Sequence, residues 1–388
     1  MVVGGTCSTV GHVGFSLFGG YGDYTRMYGS GASNMVEAEV VLASGEVVTA
    51  TECNAHSELF GALRGGGAGF GLVTKLTYRT FSMPATVGRI SGNYNGDLSK
   101  HVGNFLVWYR GMVDSGLAQH FGGNLYVYSD SVTLDIPFVG LTADQCSDVI
   151  SALPGAQCDF GDTSNPWKPA DALLSPNGAD GWMPTWAKDG ASAYLTETIT
   201  RYFREEHLGE GRYQAFADTM ADLGASLGTT DWNSFLTISL NYALGHAGPG
   251  VKDRADRTKV HPDVVDALGT VKLTRRLRAS PPSSSTAIDQ QSWQHWQEVR
   301  SDLAAVLGAD AGSYANEGSY MEENWPERYW GSNYQELLAL KEKYDPQGLF
   351  TCYQCVGNDP TPAGTSPQCS EAGRRLAAET AAASPGLF

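Results

Sequence analysis

The chain has 388 residues, room for two domains, and its 42% hydrophobic and 11% aromatic residues can fill a sizeable core. With 26 Lys and Arg against 42 Asp and Glu its net charge is −16, which argues against nucleic acid or an anionic membrane surface as a partner. No apolar run is long enough to span a bilayer, and VVGGTC after Met1 has neither the basic nor the long apolar region of a signal peptide.

The first stretch, GGTCSTVGHVGFSLFGGYG (Gly4 to Gly22), is glycine-rich backbone that can approach a ligand closely. MVEAEVVLASGEVVTA (Met35 to Ala50) predicts two strands joined by a turn at Ser44-Gly45. HSELFGALR predicts a short helix, RGGGAGFG a second glycine loop, and LVTKLTYRTF a strand, with Pro84 closing the block. KHVGNFLVWYRGMV places Val102, Phe105, Leu106, Tyr109 and Met112 at helical spacing. GGNLYVYSDSVTLDIPFV reads as a hairpin, SFLTISLNYALG and GTVKLTRRLRA as strands, and FADTMADLGASLG as a helix. Strand pairs mixed with helices predict an α+β domain on an antiparallel sheet. SPPSSST (Ser280 to Thr286) predicts a loop; Trp293, Trp296, Leu303 and Leu307 then mark one helix face. SNYQELLALKEKY predicts a last helix, capped by Asn333 and stopped by Asp345-Pro346 and Gly348. From Asp359 the chain is rich in Pro, Ala and Ser and reads as a disordered tail.

Seven cysteines are an odd number. Cys146 and Cys158 flank a short helix-like segment and can pair, and Cys352 and Cys355 read as a local disulfide or two buried thiols. A lone CxxC is too little for a zinc site, and no metal is expected. If six cysteines pair, Cys7 is the one left over.

Neither glycine stretch has the Gly-Lys-Ser/Thr of a P-loop, and GGGAGFG follows a helix and precedes a strand, the wrong order for a Rossmann fingerprint. Two readings remain: backbone laid along an extended flavin, or tight turns with no ligand.

The N-terminal stretch GTCSTVG…GGYGDYTRMYG…SNMVEAEVVLASGEVVTA…ELFGALRGGGAGFGLVTKLTYRTF resembles the second half of the flavin domain in FAD-linked oxidases of the berberine-bridge-enzyme type, a branch of the vanillyl-alcohol oxidase superfamily. YANEGSYMEENWPERYWGSNYQELLALKEKYDPQGLFTCYQCVG is similar to the closing segment of the same family. The resemblance implies a PCMH-type FAD-binding domain (second half plus C-terminal segment) with an inserted α+β substrate domain on an antiparallel sheet. Residues 1–84 would form the flavin-domain half, 85–305 the substrate domain, 306–358 the returning segment and 359–388 the tail. The half with the pyrophosphate loop and the flavin-bonding histidine would be missing. The family is commonly secreted, which this chain's own sequence does not address.

The resemblance also implies site residues. Cys7 matches a cysteine that bonds covalently to flavin C6 in bicovalent members, and Thr9, Val10, Gly14, Gly19 and Gly20 would bring backbone to the ring and ribityl chain. Gly71 and Leu72 would touch the adenine end. Phe15 stands where many relatives have histidine and cannot donate a hydrogen bond to reduced flavin; whether His12 substitutes is open. Tyr21 and Tyr314 match two tyrosines that face the flavin in carbohydrate-oxidising relatives, and Asn316, in Y-x-N, would hydrogen-bond the flavin edge. A tyrosinate would take the substrate proton as hydride moves to the flavin, its pKa lowered by the second tyrosine or a cation. Glu317 and Glu322 read as surface carboxylates, Arg64 as a structural ion pair, and His246 as a pocket or turn residue. The function implied is FAD-dependent oxidation of an alcohol, with a sugar hydroxyl favoured by the tyrosine pair and O2 as acceptor. The alternatives are a secondary-metabolite oxidase or dehydrogenase of the same fold, or a flavin-free remnant.

Overall fold

In Met35–Val41 (β1) Met35, Ala38 and Val40 are buried, while Glu37 and Glu39 stay partly exposed. Gly45, at φ +83°, turns the chain into Val47–Ala50 (β2), which pairs antiparallel with β1 as the sequence predicts. The computed structural model describes residues 1–5, 10–160, 194–209, 211–227, 234–278, 285–319 and 322–358. Leu72–Tyr78 (β3) pairs on the other side of β1, giving the order β2-β1-β3. Before β1 the glycine-rich segment folds into helical turns at His12–Leu17, Thr25–Tyr28 and Gly31–Asn34, which the sequence does not signal.

The predicted helix Ser57–Leu63 (α1) packs Leu59, Phe60 and Leu63 under this small sheet. The same core takes in the C-terminal segment through Trp325 and Trp330 of Trp325–Trp330 (α6) and Leu337 and Leu340 of Tyr334–Tyr344 (α7). Two hydrogen bonds fasten it. Trp330 Nε1 donates to Gly65 O (3.0 Å), and the buried Lys341 amine donates to Gly69 O (2.7 Å). Asn333 precedes α7 but does not cap it; its side chain donates to Val260 O at 2.8 Å.

The second body is a seven-stranded, fully antiparallel sheet of order β7-β4-β6-β5-β9-β10-β8. Its strands are Val87–Asn95 (β4), Asn124–Val127 (β5), Ser131–Val139 (β6), Gln157–Phe160 (β7), Tyr194–Phe203 (β8), Phe235–Ser239 (β9) and Gly269–Arg278 (β10). Three helices, Leu98–Asp114 (α2), Tyr213–Leu227 (α4) and Ser285–Leu307 (α5), cover its apolar face. Because strand side chains alternate, the other face is polar. There Asn93, Thr133, Tyr126, Thr237, Lys272 and Thr200 stand opposite one another on successive strands. Of the predicted loop at Ser280 to Thr286, Ser285 and Thr286 open α5, and the rest lies outside the described residues. The predicted tail also lies outside them. Cys146, on the helix Ala143–Ile150 (α3), bonds to Cys158, and Cys352 bonds to Cys355. Cys53 is exposed without a partner among the described residues.

Candidate active site

The glycine-rich segment meets the polar sheet face and the C-terminal segment at one place. Gly19 and Gly20 have φ +126° and +73°, a turn that glycine adopts without strain. The packing requires it as well: a Cβ on Gly19 would overlap the Tyr242 hydroxyl, and one on Gly20 would lie 2.5 Å from the Phe15 ring. The turn aims Tyr21 at Tyr242 and Tyr314. Its ring stacks on Tyr242 (5.2 Å between centroids) and meets Tyr314 edge-on (5.3 Å); Tyr242 and Tyr314 lie 4.6 Å apart. Tyr314 is held from the sheet edge: its backbone N–H donates to Thr200 Oγ1 at 2.9 Å.

The polar partners divide the two expected tyrosines. Tyr21 Oη donates to Glu317, 2.8 Å from each carboxylate oxygen, and Lys272 Nζ donates to the same carboxylate at 3.2 Å. Tyr314 Oη instead accepts from Asn316 Nδ2 at 2.9 Å. Asn316 also donates to Gly14 O (3.3 Å), tying the C-terminal segment to the glycine segment. Burial pushes the Tyr21 phenol well up, and the Glu317 charge pushes it further. Burial pushes Tyr314 up too, opposed by the Asn316 hydrogen bond; the Glu317 charge adds to the rise and the Gly20 backbone opposes it. The expectation of a lowered tyrosine pKa is therefore corrected: the available cation, Lys272, pairs with Glu317 rather than with a phenol.

Tyr21, Tyr314, Asn316, Gly14, Gly19 and Gly20 thus come together. Val10 lies on the same segment and is 55% exposed. Cys7 and Thr9 lie outside the described residues. Leu72 opens β3 and is exposed, and Gly71 just precedes it: a Cβ on Gly71 would lie 2.5 Å from Val40, so this glycine permits close packing against β1. Phe15 is buried beneath Gly20, with His12 stacked on it at 5.4 Å.

Two carboxylates read as surface groups are not. Glu317 is half-buried against Tyr21 and Lys272, and Glu322 is buried in an ion pair with Arg201 (3.0 Å). Arg64 is the expected structural pair, bound to Glu52 and to Ala32 O. His246 is exposed in a turn at φ +59°.

Sequence reasoning missed Tyr242, Lys272 and a second polar group beside Tyr21. Asp23 accepts from Asn241 Nδ2 (3.2 Å), and Arg89 binds Asp135 through both carboxylate oxygens. Burial and the nearby Asp135 push Asp23 up to about 7. Tyr126, Tyr128 and Phe235 line the same face as an aromatic group with centroids 5.8 to 6.5 Å apart. The one available signal was alternation: in GTVKLTRRLR, Lys272 falls between the buried Val271 and Leu273. Among the described residues no group of His, Cys, Asp and Glu gathers to hold a metal ion.

The residues present fit the ring end of a flavin. Gly11 and Gly14 have open space where a Cβ would stand, and Val10 and Val13 beside them remain exposed, leaving bare backbone and apolar surface for a flat ring. The buried Tyr242 hydroxyl has no hydrogen-bond partner among the described residues.

Residues 313–357 match the family described as berberine and berberine like. Over 373 residues the chain is 28% identical to an FAD-linked oxidoreductase of Gibberella fujikuroi, covering 92% of this chain and 60% of that protein. The chain therefore spans less than two thirds of the length of that relative. In fold it is similar to a VAO-type flavoprotein of Myceliophthora thermophila C1 (TM-score 0.72, 21% identity, 92% of this chain and 63% of that one). It is also similar to a glucooligosaccharide oxidase of Acremonium strictum with a 6-S-cysteinyl, 8α-N1-histidyl FAD (TM-score 0.66, 20% identity, 93% and 74%). The closing segment matches the berberine and berberine-like family, the chain as a whole is similar to FAD-linked oxidoreductases, and its fold is the VAO-type fold.

Proposed function

We propose that the chain forms part of an FAD-dependent oxidoreductase that oxidises an alcohol, with a sugar or oligosaccharide hydroxyl as substrate and O2 as the final acceptor. The observation that carries this reading is the junction where Tyr21, Tyr314, Asn316 and Glu317 meet beneath the polar sheet face. Sugars offer hydroxyls to polar side chains and C–H faces to aromatic rings, and this face carries both kinds of group. The oligosaccharide oxidase of the same fold supports the substrate class.

When bound, FAD supplies a two-electron acceptor for hydride from the carbinol carbon. Val10, Gly14, Gly19 and Gly20 would hold its ring end, with Asn316 at the polar edge. Cys7 would provide a covalent tether and Thr9 backbone support; Gly71 and Leu72 would serve the adenine end. Tyr21 and Tyr314 orient the substrate hydroxyl between them, and the phenol–carboxylate pair receives its proton.

The test is the visible spectrum of the purified protein, followed by anaerobic addition of gluco-oligosaccharides and, separately, aromatic alcohols. Flavin bands bleached by the oligosaccharide support the reading. Bleaching by the aromatic alcohol alone favours a secondary-metabolite oxidase or dehydrogenase, and a colourless protein sinks the enzyme reading. Colour that stays with denatured wild-type polypeptide but leaves Cys7→Ala assigns the tether.

A further inference from the structure

Tyr21 and Glu317 come from opposite ends of the chain, 296 residues apart, yet the phenol sits symmetrically against the carboxylate at 2.8 Å from both oxygens. Tyr21 can be a base only if its proton has somewhere to go. A buried phenol beside an anion does not ionise on its own at neutral pH, because burial and like charge both disfavour the phenolate. Tyr314 is built differently: its oxygen accepts from Asn316 and faces no carboxylate hydrogen bond of its own. The two tyrosines therefore do different work.

We propose that Glu317 is the terminal proton acceptor of this site, reached through the Tyr21 hydroxyl, and that it fixes the direction in which Tyr21 points. The step balances. The substrate O–H bond breaks as its proton bonds to Tyr21 Oη, while the Tyr21 O–H bond breaks as its proton bonds to Glu317. With bound FAD as the hydride acceptor the alcohol would become a carbonyl, leaving Glu317 neutral and Tyr21 regenerated. Lys272 on β10 holds Glu317 from the other side at 3.2 Å. Among the described residues the other titratable groups around the pair are Tyr314, Tyr242 on the chain after β9, Tyr202 on β8 and Tyr126 on β5. Glu317 is thus a positioning residue acting through Tyr21. The inference rests on the alcohol-oxidation reading for its substrate, but not for the Tyr21–Glu317 coupling.

The test uses the full chain with 13C-labelled tyrosine ring carbons, Tyr21 being assigned by its loss in Tyr21→Phe. In the wild type the Tyr21 signal should titrate well above the range of a free phenol, if at all. In Glu317→Gln it should titrate at lower pH, and Glu317→Asp should restore wild-type behaviour. Alcohol-driven flavin reduction should fall by about 10²-fold or more in Glu317→Gln and recover to within about tenfold in Glu317→Asp. A Tyr21 titration unmoved by Glu317→Gln overturns the proposal whatever the substrate. A moved titration in a protein that oxidises no alcohol overturns the alcohol reading and leaves the coupling standing.

Discussion

At the scale of single residues the site contains two buried polar groups that cost stability. The Tyr242 hydroxyl is buried without a hydrogen-bond partner among the described residues and stands where a Gly19 side chain would be. Gly19→Ala meets both the clash and a left-handed φ, and should lower the denaturation midpoint by an amount corresponding to about 2–4 kcal/mol. Tyr242→Phe removes an oxygen that makes no hydrogen bond, so alone it should change stability by less than about 1 kcal/mol. In the double variant it should recover part, not all, of the Gly19→Ala loss, since the φ strain remains. Full additivity would mean that the hydroxyl and Gly19 do not touch. Asp23 is the second such group. Held up to about 7, it keeps its proton in the folded chain at pH values where a free carboxyl of about 3.9 has lost it. The folded state then binds more protons than the unfolded one, so this group's contribution to stability falls as pH rises from about 4 to 7 and is flat above. Asp23→Asn should therefore gain on the wild type across that window, read from urea midpoints at pH 4.5, 6 and 8. A gap that stays constant or shrinks with rising pH contradicts the buried-carboxyl account.

At the scale of elements, what the sequence made legible is what local patterning controls. The Ser44-Gly45 turn announced β1 and β2, β-branched and aromatic content announced β3, helical spacing announced α2, and GTVKLTRRLRA read as the strand β10. β4 was missed because its VGRISGNYN carries two glycines and little β-branching; it is a strand because β6 and β7 pair with it on both sides. The helical turns before β1 were hidden for the same reason: glycine lowers local propensity, and packing supplies the order. The family motif pointed to Tyr21, Tyr314 and Asn316, but Tyr242 and Glu317 reach the site only through tertiary folding. Arg26 was invisible in the same way. It is fully buried on the turn Thr25–Tyr28, and its guanidinium reaches Tyr109 Oη, Gly245 O, Leu240 O and Leu268 O. One side chain thus ties the glycine segment to α2 and to the strand ends of the large sheet. Arg26→Met should cost about 3–5 kcal/mol, because four acceptors lose a charged donor in the interior. Arg26→Lys, with a point charge in place of a fork, should fall between the two. A Met variant within 1 kcal/mol of the wild type in denaturant titration would show that water replaces the guanidinium.

At the scale of the whole molecule, the closing segment joins the core under the small sheet to the cluster of Tyr202, Tyr242 and Tyr314 beside the large sheet. Ser313 to Glu317 lie against β8 and Tyr21, while α6 and α7 fill the core under the small sheet. The site therefore depends on the segment twice: for Tyr314, Asn316 and Glu317 themselves, and for the docking that carries them to the glycine turn. Trp330 is the central docking side chain. It is fully buried, bonded to Gly65 O and packed against Trp325 and Tyr329. Trp330→Ala should cost about 3–5 kcal/mol, but within the small core. Amide hydrogen exchange is the suitable measurement, because it resolves where stability is lost. Protection in β1, β2, β3 and α1 should drop, while β5, β6, β9 and β10, whose core is formed with α2, α4 and α5, should keep theirs. The Tyr21 signal should broaden or shift as well, since Glu317 loses its fixed approach. Arg26 pulls the other way, as its four bonds cross between the glycine segment and the large sheet. If protection falls equally in both sheets, Arg26 and the closing segment lock the two cores into one cooperative unit, and the idea of separately stable halves fails.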